Sequence, residues 1–203
     1  MSVHLVVTEH ASRLDDERRL GYERVRARLA EVCGREIDIY HYCDARNLGG
    51  AEAIVLSGSS APWAAHERKD IERLGDVVVR SGRPVLGICA GMQLLAMFAG
   101  GGVRPMSDRG GEAEHGYLPI EVIDDSDLLR SLPAHAAVFH DHRDEVTVVP
   151  EAFRVLARTS GCPVQAIADT ARRWWGTQFH PERWDTNCPA GERVLRNFFE
   201  LAG

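Results

Sequence analysis

Through the first half of the chain, short apolar runs alternate with longer, heavily charged amphipathic stretches. SVHLVVT has the pattern of a buried strand, and DDERRLGYERVRARLAEVCG that of a helix with acids at its start and a glycine near its end. EIDIYHY alternates as a strand does, and AEAIVLSG is an apolar run stopped by glycine and serine. HERKDIERLGDVVVRSG predicts a helix, RPVLGI a strand and AGMQLLAMFAGG a helix. This alternation predicts an α/β fold, a mostly parallel central sheet flanked by helices. The second half changes character. YLPIEVID, HAAVFH, EVTVVP, FRVLART, PVQAIAD and RRWWGTQFH are short strand-like pieces, a smaller strand-rich addition before a last helix in GERVLRNFFELAG. With no repeat or low-complexity linker, residues 1–203 are expected to form one domain. The loosest stretch, GGGVRPMSDRGGEAEHG, is expected to be a loop on the active-site side.

Composition narrows the function classes. The 203 residues are 44% hydrophobic and 27% charged, enough for a full core. A formal charge of -6 argues against a nucleic-acid footprint. MSVHLVVTEH lacks the charged leader and apolar core of a signal peptide, and no apolar run approaches the roughly 18 residues of a membrane span. Five scattered cysteines form neither a disulfide framework nor a CxxC pair, so a reduced, cytoplasmic protein is expected. The sequence names no metal ligands and no cofactor, and no P-loop or other nucleotide motif is present.

Candidate chemistry centres on GICAGMQ. Cys89 lies between Gly87 and Gly91, where a predicted strand turns into a predicted helix. Glycines at that spacing permit a sharp turn that lifts a nucleophile above the sheet. A helix N-terminus favours thiolate there, and the Ala90 amide can face an oxyanion. The bland alternative is a small buried cysteine at a strand end, which has no need of flanking glycines. A thiolate needs a base. Of nine histidines, His4 falls in a strand, His66 on a charged helix and His41 between two tyrosines. His180 stands where the apolar run WWGTQF ends, before Pro181 and Glu182, at the edge where α/β sheets place their chemistry. Glu182 could fix its tautomer, although His-Pro-Glu alone also reads as a solvated turn.

Taken together, GICAGMQ and TQFHPE resemble the signatures of the class I (triad) glutamine amidotransferases. AIVLSGSS is similar to the family's strand and oxyanion loop, EHGYLPIEV to its E-[FY]-G segment, and HDHRDEVTVVP to the S-H-G-D-x-V segment of GMP-synthase-type members. The resemblance covers essentially the whole chain and implies the family's flavodoxin-like fold. It implies Cys89 as nucleophile, His180 as base and then acid, and Glu182 as the orienting carboxylate. Cys89 would attack the side-chain amide of L-glutamine, forming a glutamyl thioester that water hydrolyses. Gly58, Ser59 and Ala90 match the oxyanion positions, Gln93 a substrate contact, and the segment Asp141, His142, Arg143 and Asp144 the grip on the substrate's amino-acid end.

Departures from the family pattern bear on specificity. Ser59 and Ser60 replace the usual glycine and proline of the oxyanion loop, which leaves its turn less fixed or in need of a partner to set it, and Arg143 replaces a glycine. Of Trp174 and Trp175, one ring is expected in the core and the other over an edge. Asp15, Asp16 and Glu17 form a dipole-matched helix start. Released ammonia would pass to a separate synthase or acceptor. A stand-alone γ-glutamyl hydrolase and a non-catalytic relative are the alternatives.

Overall fold

The computed structural model describes residues 2–203. Its parallel half is built as the hydrophobic pattern predicts. Strand β1 (Val3–Val7) leads to helix α1 (Asp16–Cys33), and β2 (Ile37–His41) and β3 (Ala53–Leu56) follow. Helix α2 (Arg68–Ser81), β4 (Val85–Ile88) and α3 (Ala90–Phe98) complete this half. Asp15 caps α1, its side chain accepting the Arg18 amide at 2.8 Å, and Gly34 ends the helix in the left-handed conformation at φ 65°.

The second half comprises β5 (Gly102–Pro105), β6 (Glu114–Val122), β7 (His135–His142), β8 (Asp144–Val148), β9 (Arg154–Arg158), β10 (Ala166–Asp169), β11 (Trp174–Thr177) and α4 (Ala190–Ala202). One nine-stranded sheet runs in the order β2-β1-β3-β4-β11-β10-β9-β6-β7. The first five strands are parallel; β11-β10, β10-β9, β9-β6 and β6-β7 are antiparallel. The strand-rich half thus extends the parallel sheet, and its last strand, β11, lies against β4.

Apolar residues cover both faces. Leu5, Val55, Leu86 and Trp175 pack with α1 and α4 through Leu29 and Phe198, while Val6, Ile54, Leu56 and Trp174 pack with α2 and α3 through Leu74 and Leu95. Each large side chain so buried contributes about 1.5–3 kcal/mol. Both tryptophans are 3% exposed, which corrects the expectation of one ring at an edge. β11 is an interior strand, so alternate residues enter the two opposite cores. The stretch expected to be a loose loop is also more ordered. β5 pairs with β8 in an antiparallel ribbon, a short 3-10 helix covers Met106–Arg109, and β6 starts at Glu114. His66 precedes α2 rather than riding on it, buried against the Tyr42 hydroxyl at 3.2 Å.

Among the described residues no helix is long and apolar enough to cross a membrane, and all five cysteines are free.

Candidate active site

β4 ends at Ile88, and Cys89 turns the chain with φ 52° and ψ -108° before α3 begins at Ala90. A non-glycine residue with this backbone costs about 1–3 kcal/mol and persists only where its surroundings enforce it. The enforcement is visible. The Cys89 amide donates to the Thr177 carbonyl at 2.7 Å, and a Cβ on Gly87 would collide with the Gly91 carbonyl. A Cβ on Gly91 would in turn strike the Leu56 carbonyl. Only glycines let strand and helix approach so closely here.

β11 runs beside β4, pairing Thr177 with Ile88, so its downstream turn arrives at the same sheet edge. Three residues past the strand, His180 is held by its amide donating to the Phe139 carbonyl at 2.7 Å. Its Nδ1–H donates to Glu182 Oε1 at 2.7 Å, which directs Nε2 toward the thiol side. The point where a Gly58 Cβ would sit lies 3.5 Å from Cys89 Cβ and 3.8 Å from His180 Nε2. Thiol and imidazole therefore share one small space. Burial alone would lower the His180 pKa, but the negative charge of Glu182, then that of Cys89, and hydrogen bonds to both hold it well above 6.5. An imidazolium is the form these neighbours favour.

All ten residues singled out from the sequence line one cleft of about 920 Å³. Their settings differ. Gln93 is 3% exposed and its amide is engaged within the protein. Its Oε1 accepts from Trp63 Nε1 at 2.9 Å, and its Nε2 donates to the Asp144 carbonyl at 3.1 Å and to Gln178 Oε1 at 3.0 Å. Gln178 Nε2 reaches Cys89 Sγ at 3.5 Å. Asp141 is exposed beside His115 and Arg183, at 3.3 and 3.7 Å. Arg143 donates to the Ser60 carbonyl at 2.6 Å, tying that segment to the oxyanion loop. Burial pushes the Asp144 carboxyl above its ordinary value against the opposing charges of Arg143 and His142.

Sequence reasoning missed the residue that organises this loop. Glu9, fully buried after β1, accepts from the amides of His10, Ser60 and Ala61 at 2.8–3.1 Å and from the hydroxyls of Ser59 and Ser60 at 2.9 and 2.8 Å. The two serines that replace glycine and proline are its partners, so the turn is fixed by a buried carboxylate. Tyr22 of α1 adds a bond to the Gly58 carbonyl at 3.0 Å. An acid directly after an apolar strand was the available signal for Glu9. The amides of Gly58, Ser59 and Ala90 are left without an acceptor among the described residues.

Known proteins share this chain's sequence and fold. The chain is 42% identical over 160 residues to one subunit of the glutamine-hydrolyzing GMP synthase of Pyrococcus abyssi, covering 79% of this chain and 80% of that one. It is 41% identical over 156 residues to a glutamine-hydrolyzing GMP synthase of Symbiobacterium thermophilum, which covers 76% of this chain. The match spans only 29% of that longer protein's length. A crystal structure from Thermoplasma acidophilum, provisionally one subunit of a GMP synthase, superposes with a TM-score of 0.80 at 26% identity over 100% of this chain and 94% of that one. The family model described as Glutamine amidotransferase class-I matches residues 21–202, and the chain belongs to that family.

Proposed function

We propose that the protein hydrolyses the side-chain amide of L-glutamine and delivers the ammonia to a separate synthase subunit. The observation that carries this reading is the strained Cys89 turn set beside the His180–Glu182 pair. Cys89 thiolate attacks the amide carbon, and the developing oxyanion meets the free amides of Ser59 and Ala90. His180, protonated under the influence of Glu182, gives its proton to the departing ammonia. The same imidazole, now neutral, takes a proton from water as it attacks the glutamyl thioester, releasing glutamate and restoring the pair. Gln93, its amide bonded to Trp63, Gln178 and the Asp144 carbonyl, braces the cleft floor beneath the substrate, and Asp141, Arg143 and Asp144 hold its charged amino-acid end. A synthase partner is supported by the P. abyssi relative, itself one subunit of its enzyme and of similar extent to this chain.

Glutamate release from glutamine tests the proposal. Cys89→Ala should lower it by at least about 10³-fold, and the partner should raise it. Mass spectrometry after treatment with diazo-oxo-norleucine should place the adduct on Cys89. Faster cleavage of γ-glutamyl amines than of glutamine, with no partner present, would replace this reading with a γ-glutamyl hydrolase.

A further inference from the structure

Beside the cleft, a cluster of potential ligands lies buried between two strands. Glu114 belongs to β6, and His140 and His142 belong to β7; in the antiparallel register Glu114 faces His142 and Gly116 faces His140. Two residues apart on one strand, the histidines project to the same face. One ligand atom from each of the three residues falls within 4.8 Å of the others. Their side chains are 11%, 0% and 1% exposed in sequence order.

Hydrogen bonding accounts for Glu114 and His142 but leaves the rest of this arrangement unexplained. Neither ring nitrogen of His140 has a hydrogen-bond partner among the described residues, and Gln165 Oε1, also buried, has none. His140 Nδ1 lies 3.2 Å from Glu114 Oε2 without the alignment of a hydrogen bond. His142 Nδ1 is 3.2 Å from the Asp144 carbonyl, which can only accept, so Nδ1 carries the ring proton. Nε2 faces Glu114 Oε2, 3.0 Å away, a contact that a proton on Nε2 or a shared metal ion can bridge. A ring N–H held by a backbone carbonyl, with the other nitrogen facing inward, is also how metal-binding histidines are oriented.

We propose that Glu114, His140 and His142 form a structural site for one divalent transition-metal ion. A tetrahedral ion with ligands at about 2.0–2.1 Å has its ligand atoms about 3.3 Å apart. The carboxylate–imidazole separations of 3.2 and 3.0 Å are close to that spacing. Gln165 supplies the fourth ligand. Its Oε1 is buried without a partner, and its Nε2 lies 2.6 Å from Glu114 Oε2 and 3.4 Å from His142 Nε2, so turning the amide with a small outward shift presents Oε1 to the ion. Thr159 donates to the second carboxylate oxygen and holds the carboxylate in orientation. Two imidazoles with oxygen donors suit Zn²⁺, and a closed ligand set suits a structural role. The ion would clamp β6 to β7 at the end that carries Asp141 and Asp144. Glu114 and His142 also line the cleft, which gives the ion a way in.

The test uses the full chain with Cys89→Ala, because a thiol beside an imidazole is itself a zinc ligand pair. After chelator treatment, Zn²⁺ is added and excess removed by gel filtration. One zinc per chain should remain by mass spectrometry, Co²⁺ should give the intense visible bands of a tetrahedral site, and Zn²⁺ at about 100 times its Kd should raise Tm by about 5–10 °C. Glu114→Gln and His140→Gln should each abolish the retained zinc and the Tm rise, while metal-free melting stays cooperative. Absence of retained zinc in the parent overturns the proposal, as does its retention in both variants. Metal content is read without any glutamine turnover, so failure of the glutaminase reading would leave this result standing.

Discussion

Replacing Glu9 by glutamine isolates the force that shapes the oxyanion loop. The substitution keeps size and shape and removes one charge. In the native loop Oε1 accepts from the amides of His10 and Ala61 and the Ser59 hydroxyl, and Oε2 from the amide and hydroxyl of Ser60. A glutamine NH₂ at the Oε2 position meets the Ser60 N–H donor to donor. The Ser60 hydroxyl can turn to accept; the amide cannot. One stranded donor costs about 1–3 kcal/mol, and the remaining bonds lose their charge assistance, for a net loss of about 3 kcal/mol. In a chain of 203 residues this lowers Tm by about 6–12 °C. Losing an oxyanion donor outright costs about 10²–10³ in kcat, so a displaced loop should cost at least about tenfold in glutamate release. The effect also has a pH signature. Burial raises the Glu9 pKa, but hydrogen bonds from Ser60, Ser59 and His10 bring it below 4.5. The stabilisation by ionised Glu9 is therefore complete above pH 4.5 and fades as pH falls through the lower folded value, and Glu9→Gln should abolish that dependence. Thermal melts and a coupled glutamate assay give both readings. A variant melting within about 2 °C of the parent at unchanged kcat would show that something other than this carboxylate holds the loop.

Glu182→Gln removes the main charge that keeps His180 protonated, so the His180 resonance in NMR titration should move to lower pH. Because the folded pKa is raised, the associated stability is full below pH 6.5 and is lost as pH climbs through the folded value. The Tm gap between parent and variant should accordingly be widest in acid and narrow in base; a gap that widens in base would contradict the assignment. For Gly91→Ala, helix propensity alone anticipates a gain of about 1 kcal/mol, whereas the collision with Leu56 anticipates a net loss of about 1–3 kcal/mol. A urea midpoint higher than that of the parent would refute the close approach.

The features legible in the sequence were those carried by local pattern. Capping by Asp15 and Gly34, the strand-to-helix joint at Cys89 and the His180–Glu182 spacing all depend on neighbours within a few positions. What escaped depends on pairing between distant segments. β5 is four residues long, carries a glycine and a proline and lies largely toward solvent, so only its partner β8 makes it a strand. Trp174 and Trp175 became core residues because β10 follows β11 on its far side, an adjacency absent from their own stretch. Glu9 looks like any polar residue closing a strand until the 58–61 loop folds over it. The Glu114, His140 and His142 group is split across two strands whose register no local pattern records.

The mounting of thiol and imidazole has a consequence for control. Both hang from neighbouring ladders in the middle of the sheet, with Cys89 bonded directly to Thr177, so altering their spacing would require prising β4 from β11. The segment facing them has no such anchorage; it is moored mainly by side chains from elsewhere in the chain, among them one acid, one phenol, one threonine and one arginine. A docking protein seeking a throttle would find it there, shifting a few hydroxyls and amides while the sulfur and the ring stay still.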